Sequence, residues 1–416
     1  MKATLHLLRA AIAAVTLLAT AAVSLSAADS VERWNSAITD FSRNLTVDAP
    51  PGLPPFLEVR VYAMTHIAIL DAVKTALKPG NVNDTNVDAA VAAAAHDVLV
   101  VQFGFLPPAG GLFNSIYAAE LAAIPDGPAK ANGIAIGQAA AAAMLATRSS
   151  EDPFAALLAP YTPGSNPGDF QPIPPAGVAG AGWASLKTFT LKTSAQFRAP
   201  TPYASLASLE YAMDVNEIAV LGKAGSVGRT EDQTAIAFYW YENSSFAWNQ
   251  IARGLAAGKS LLEHARLFAA LNAAISDAYS ASLDSKFHYN FWRPVTAIHA
   301  ADTDGNPLTK QDAAWEPAFI TPPVPDYPSA HAAAGGAASE VIIALLGDGA
   351  FEHTSSTFSE LSAATRHFGS VAEAAAENAY SRMLVGIHFR RACTVGLEQG
   401  KTIGKYVIEK SKFLKN

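Results

Sequence analysis

The chain has 416 residues, half of them hydrophobic and 16% charged, with a formal net charge of −7. That length supports a large core or two packed subdomains. The acidic balance argues against a nucleic-acid binder with a basic face and against electrostatic docking on anionic lipid. A single cysteine, Cys393, rules out an intrachain disulfide and a thiolate metal cluster.

The chain opens with Lys2 and Arg9, an apolar run, and small residues Ser26 and Ala28 placed as −3 and −1 of a cut before Asp29. Residues 1–28 therefore read as a secretory signal peptide, and the mature protein is expected to be exported, with no membrane insertion after cleavage. Apolar residues at three-to-four spacing then predict helices over 59–77, 88–105, 112–124, 131–147, 206–221, 230–256 and 259–283. The same spacing predicts helices over 331–346, 356–367, 371–391 and 394–411. Residues 188–193 are the one fair strand candidate. The expected fold is all-α, two packed four-helix-type bundles, divided into an N-terminal region (29–204) and a C-terminal region (205–416). Pro- and Gly-rich breaks fall at 44–56, 148–204 and 301–330. The second is long enough to form the wall of a cleft, or else a crossover between bundles.

Three stretches carry chemistry. "KFHYNFWRP" places Lys286 and Arg293 seven apart among aromatic residues. On a helix these nearly eclipse, about 10 Å apart along the axis, so both can reach one anion. A planar guanidinium and an ammonium suit a tetrahedral oxyanion. "DYPSAH" puts Ser329, Ala330 and His331 at the start of an apolar helix, whose first backbone N–H groups and dipole favour an anion. A Ser close to a His also suggests a nucleophile, but no G-x-S-x-G elbow or preceding strand supports a hydrolase triad. "SRMLVGIHF" holds Arg382 and His388, six apart on a predicted unbroken helix.

In this order and spacing, Lys286-x6-Arg293-Pro294, Pro328-Ser329-Ala330-His331 and Ser381-Arg382-x5-His388 resemble the three-part signature of the vanadium haloperoxidase and type 2 phosphatidic acid phosphatase superfamily. The surrounding "HYNFWRPVTAI", "TPPVPDYPSAH", "AMTHIAILDAV" and "AFYWYENSSFAWNQIAR" resemble the bacterial haloperoxidase branch. The resemblance implies a vanadate cofactor, with hydrogen peroxide, halide and a small organic acceptor as partners. His388 would ligate vanadium through Nε2 and His331 would be the acid–base residue. Lys286, Arg293 and Arg382 would neutralise the vanadate oxygens, and Lys286 would also polarise peroxide. Ser329 and the Ala330 N–H would hydrogen-bond the oxygens, and Val324 would lie on the halide side. A homodimer is a further expectation from the family.

Two alternatives stand beside this reading. One is an acid phosphatase with a phosphohistidine on His388, and the other an inactive oxyanion-binding relative. Two departures bear on the choice. Ala330 replaces the usual glycine, which would matter if the position needed positive φ. The phosphatases usually carry an Asp four residues after the last His; here that residue is Ala392. The partner of His388 is thus unidentified in the sequence, a backbone carbonyl being one option. His66, His96 and His264 read as structural. His288 and His299 are candidates to support the site, and Asp284 and Glu340 candidates to orient an arginine. "DTDGN" (302–306) lacks the glutamate of a calcium loop and reads as a turn.

Overall fold

The computed structural model describes residues 28–48, 53–174, 177–355 and 365–415. The leader expected at 1–28 therefore lies, but for its last residue, outside the described residues. The fold is all-α, with one small hairpin. In chain order the helices are α1 (Ser30–Asp48), α2 (Pro55–Ala76), α3 (Val87–Phe103), α4 (Pro107–Ala122), α5 (Pro128–Thr147) and α6 (Pro153–Leu157). There follow α7 (Leu209–Leu221), α8 (Glu231–Tyr239), α9 (Ser244–Leu255), α10 (Leu261–Tyr289), α11 (Pro294–His299) and α12 (Ala330–Leu346). Strands β1 (Phe351–Thr354) and β2 (Thr365–Phe368) pair antiparallel before α13 (Val371–Leu384) and α14 (Arg390–Lys410). Among the described residues no helix is long and apolar enough to cross a membrane.

Helix α10 is the axis of the molecule. A capping box between Ser260 and Glu263 starts it, and it is buried for most of its 29 residues. One side packs on α2, which with α3 and α5 forms the N-terminal layer. Another packs on α12 and α14, which with α13 form the C-terminal layer. Alanine and glycine let α12 and α14 approach backbone to backbone. Gly396, Gly400 and Gly404 recur every four residues on α14. A Cβ on them would sit 2.5, 2.0 and 2.6 Å from the carbonyl oxygens of Ser329, Ala333 and Ala337. Any side chain on this stripe would push α14 away from the start of α12.

The long irregular segment lies across α10 and the first motif. Buried Asp277 of α10 accepts hydrogen bonds from the amides of Phe189, Thr190 and Leu191 at 2.7, 2.7 and 3.0 Å. These amides bind a carboxylate instead of a neighbouring strand, so residues 188–193 form bends and not the expected strand. Arg198 forks onto Asp284 at 2.7 and 2.9 Å. Phe170 N–H donates to Asn290 O, Trp292 N–H to Gly168 O, and Ala179 N–H to Pro323 O. The segment is thus a wall over the motifs, built from backbone hydrogen bonds.

Other boundaries differ from the periodicity. The 230–256 helix breaks at 240–243, where Asn243 caps α9. Of the predicted 356–367 helix, 356–364 lie outside the described residues, and Thr365–Phe368 are a strand. The 371–391 helix stops at Leu384. Gly386 follows at φ +82°, where a Cβ would meet the Gly222 carbonyl oxygen at 2.3 Å.

Candidate active site

The structure brings the three motifs together where α10, α12 and α13 end or begin. Lys286 lies in the last turn of α10. Asn290 then takes φ 52° and ends the helix, a left-handed conformation that asparagine tolerates. Arg293 caps the following α11, where Pro294 occupies the first turn. The two cations are therefore not one helical turn-pair, as eclipsing on a helix would require. They converge because the chain reverses between them. Both are fixed by the strap at 324–326, Lys286 Nζ donating to the carbonyls of Pro325 (2.7 Å) and Asp326 (2.8 Å). Arg293 donates from Nε to Val324 O and from NH1 to Ile387 O, each at 2.7 Å. Val324 thus contributes its carbonyl to the arginine.

Arg382 is in the last turn of α13, and its NH1 donates to Trp240 O at 3.1 Å. Its guanidinium carbon lies 5.7 Å from the Tyr241 ring centroid. His388 lies in the break between α13 and α14, so Arg382 and His388 do not share a helix. Ser329 caps α12, accepting from Ala332 N–H at 3.3 Å, and its own N–H is held by Ala392 O. Ala330 is the first helical residue, with negative φ, so the substitution for glycine carries no backbone penalty. Ala330 and His331 are partly exposed, in contrast to the buried Ser329 and Ala332.

The two histidines have different partners. His388 Nδ1 lies 2.8 Å from Asp326 Oδ1, and both side chains are buried. Asp326 is the acid absent downstream of His388; it is supplied by the second motif, two residues before Pro328. His331 instead meets two neutral groups, Ser244 Oγ at Nδ1 and Asn378 at Nε2, each at 2.8 Å. Neither Asp326 nor the pair Ser244 and Asn378 is signalled by spacing, since they lie 62, 87 and 47 residues from the histidines they hold. The "DYPSAH" stretch does contain the acid, so a rule that searched the second motif for it would have found Asp326.

Burial dominates the electrostatics. Lys286 is held well below its ordinary pKa by burial and then by Arg293. Arg293 is lowered to about 10 by burial, although Asp326 opposes this. Arg382 is lowered by burial. Asp326 is raised to about 7 by burial, against the pull of Arg293 and Lys286. For both members of the Arg293–Asp326 pair, separated by 3.8 Å, desolvation thus outweighs their attraction. His388 is pushed well below 6.5 by burial, then by Arg293, Lys286, Arg382 and His331. His331 moves the same way, through burial and Arg382. His388 therefore feels all three cations and His331. Arg293 NH2 and Arg382 Nε are buried with no hydrogen-bond partner. Such donors fit a tetrahedral oxyanion, the missing acceptor and countercharge at once.

The remaining candidates lie elsewhere. His288 is exposed and His299 bonds Trp315 O, so neither supports the site. Asp284 holds Arg198, and Glu340 faces Lys405 at 3.5 Å, so neither orients a site arginine. Cys393 is buried, its thiol pushed up by burial and Asp326. Residues 302–306 form a turn, in which Asp304 accepts from Asn306 N–H.

Residues 266–416, which contain all three motifs, match the family model of the VCPO second helical-bundle domain. The C-terminal bundle is thus of the vanadium chloroperoxidase second-domain type. Vanadium chloroperoxidase of Curvularia inaequalis is 33% identical over 145 residues, covering 28% of this chain and 23% of that protein. The matched stretch thus spans about a quarter of that haloperoxidase. Two solved bacterial structures share the fold over nearly their whole length. A vanadium-dependent iodoperoxidase gives a TM-score of 0.78 at 22% identity, over 93% of this chain and 97% of that one. A holo-type vanadium-dependent chloroperoxidase gives 0.70 at 16%, over 89% and 93%. The fold is therefore shared from the N-terminal layer onward.

Proposed function

We propose that this protein is an exported vanadate-dependent haloperoxidase that oxidises a halide with hydrogen peroxide to hypohalous acid. The net change is halide, peroxide and one proton giving hypohalous acid and water, with a small organic molecule as the acceptor of the halogen. One observation carries the reading. Three buried cations surround the site, and among the described residues Asp326 is the one carboxylate within ion-pair distance of any of them. An excess of buried positive charge calls for an anion.

The residues fit vanadate as that anion. Arg293 NH2, Arg382 Nε and the Ser329 hydroxyl would hold its oxygens, with the first-turn amide of Ala330. His388 would ligate it through Nε2, since an ionised Asp326 keeps the proton on Nδ1; the Nε2 lone pair accepts from Arg293 NH1 at 3.2 Å, a contact that vanadate would replace. Bound vanadate would supply a Lewis acid that activates peroxide without changing oxidation state. Lys286, fixed on two carbonyls, would place its remaining proton toward peroxide. His331 stays neutral near physiological pH, because burial and Arg382 oppose its protonation. It can therefore take up and return the proton the reaction consumes.

The decisive experiment is bromination of a phenolic dye by the mature protein with peroxide and bromide, with and without orthovanadate. The expected result is bromination that requires vanadate and is lost in His388→Ala. No bromination, with vanadate nonetheless bound, would overturn the activity. Asp326 also favours a second reading, phosphomonoester hydrolysis, because a carboxylate-oriented imidazole is a nucleophile. Ester hydrolysis without bromination would establish that reading instead.

A further inference from the structure

The N-terminal layer reaches the site through one buried carboxyl. Glu58, in the first turn of α2, is fully buried. Its Oε2 accepts from Asn243 Nδ2 at 2.7 Å and from Ser245 Oγ. Those two residues bracket Ser244, whose Oγ lies 2.8 Å from His331 Nδ1. The same bend supplies Trp240 O to Arg382 and the Tyr241 ring beside its guanidinium. Residues 240–245 thus touch two of the residues assigned to the anion site, and Glu58 is what anchors the far side of the bend. Asn243 caps α9 through Ser245 N–H at 3.2 Å, so its side chain cannot move to Glu58 or away without disturbing the start of that helix.

We propose that Glu58 and Ser244 are positioning residues for His331: Glu58 clamps Asn243 and Ser245, and the clamp presents the Ser244 hydroxyl to the His331 ring. The inference rests on the reading of His331 as the acid–base residue for its effect on turnover, but not for its geometry. The geometry follows from the Glu58–Asn243, Glu58–Ser245 and Ser244–His331 contacts, each side chain to side chain between distant segments. The carboxyl needs no charge for this role. Burial pushes Glu58 up to about 8, so at neutral pH it is mostly the neutral acid, with one oxygen accepting two hydrogen bonds. Its other oxygen, Oε1, is buried without a partner. A glutamine retains an accepting oxygen of the same reach, and an alanine retains nothing.

The test compares Glu58→Gln, Glu58→Ala, Ser244→Ala and Ser245→Ala in the mature protein, with two readouts. The first is the nuclear magnetic resonance signature of the His331 ring, assigned through His331→Gln and read in histidine-labelled protein without halide or peroxide. The second is bromination. Ser244→Ala and Glu58→Ala are expected to shift the His331 ring signals, and Glu58→Gln to leave them in place. In turnover, the first two are expected to lose about tenfold in kcat, with vanadate affinity within about threefold of the parent. Glu58→Gln is expected to recover most of that loss. Ser245→Ala removes one bond to Glu58 and little core volume, and is expected to shift the ring in the same direction if Glu58→Ala does not fold. Unshifted His331 signals in Ser245→Ala or Glu58→Ala overturn the proposal. Equal losses in Glu58→Gln and Glu58→Ala also overturn it, because they would make the charge, not the clamp, the cause. If the parent protein does not brominate, the ring signals still decide the clamp, and only the assignment of His331 falls.

Discussion

Replacing Asp326 by asparagine separates two effects that a simple activity loss would merge. The carboxylate lies 3.8 Å from Arg293 NH1, which corresponds to about 4 kcal/mol of attraction at an effective dielectric near 20. Removing it leaves the cations less compensated, so any tetrahedral anion should gain. It also removes the acceptor that holds the His388 Nδ1 proton at 2.8 Å. An asparagine can offer N–H to Nδ1 and drive the proton to Nε2, the atom needed as a ligand. Loss of such a supporting partner costs 10- to 100-fold in metal affinity, or about 1.4–2.7 kcal/mol. Phosphate does not use the Nε2 lone pair in the resting complex and feels only the first effect. The expected outcome of Asp326→Asn is therefore a vanadate-to-phosphate affinity ratio at least about tenfold lower. Competition calorimetry at fixed pH and ionic strength measures it. A ratio unchanged within about threefold would show that Asp326 is a countercharge only, and would remove the argument that it sets the His388 tautomer.

Three further outcomes follow from other parts of the structure. Ala330→Gly should leave vanadate affinity within about threefold, because the same helical amide remains, and should cost at most about 1 kcal/mol of stability. A tenfold gain in affinity on titration would instead show the methyl group crowding the anion. Asp277→Ala should free the 188–193 bends, costing on the order of 3 kcal/mol through three unsatisfied amides; limited proteolysis that cuts within 177–204 no faster than in the parent would contradict this. Glu58 has a folded pKa of about 8, above its ordinary 4.5, so the folded state holds the proton more tightly. Its contribution is fully present below pH 4.5 and is lost as pH rises to about 8, by up to about 1.4 kcal/mol per pH unit. Tyr62 and Tyr279, which face it, remain neutral phenols through this window and add no opposing titration. The melting temperature of Glu58→Gln relative to the parent should therefore rise between pH 4.5 and 8 and level off above it; a pH-independent difference would sink the assignment.

The candidate site was largely legible because its donors come in three short local patterns, and each pattern is also a helix boundary. Lys286 with Arg293-Pro294, Ser329 before α12, and Arg382 before Gly386 all sit where helices start or stop. The geometry by which they meet was not legible. Periodicity carried a helix through 385–389, and the spacing of Lys286 and Arg293 was read as helical through 290, since Phe291, Trp292, Ile387 and Phe389 are apolar and buried whether the chain coils or turns. Only Asn290 and Gly386, each at positive φ, marked the reversals. Likewise 188–193 alternates like a strand but binds Asp277, and Thr365–Phe368, at the end of the expected 356–367 helix, pairs with Phe351–Thr354. In both cases a distant partner for the backbone N–H decided the conformation, and local propensity did not. The supporting residues were hidden for the same reason. Glu58 stands one residue before the predicted 59–77 helix and belongs to no motif, and only the fold places Asn243 and Ser245 against it.

The partners of the two histidines also constrain which chemistry the cage can perform. A carboxylate behind His331 would raise its affinity for a proton, and next to Arg382 the ring would become a buried imidazolium facing an already cationic site. Neutral Ser244 and Asn378 hold the ring without charging it, so it can exchange a proton with a bound substrate. His388 has the opposite requirement, since a ligand or nucleophile must keep its Nε2 lone pair while surrounded by Lys286, Arg293 and Arg382. Those cations already disfavour a second proton, and Arg293 NH1, a donor 3.2 Å from Nε2, favours the first one on Nδ1. Asp326 enforces the same choice as the Nδ1 acceptor, and in doing so offsets part of the same positive charge. Exchanging the two sets of partners would keep the three cations, Ser329 and both histidines, yet charge His331 and remove the acceptor that holds the His388 Nδ1 proton. The assignment of roles therefore rests on Asp326, Ser244 and Asn378 as much as on the histidines.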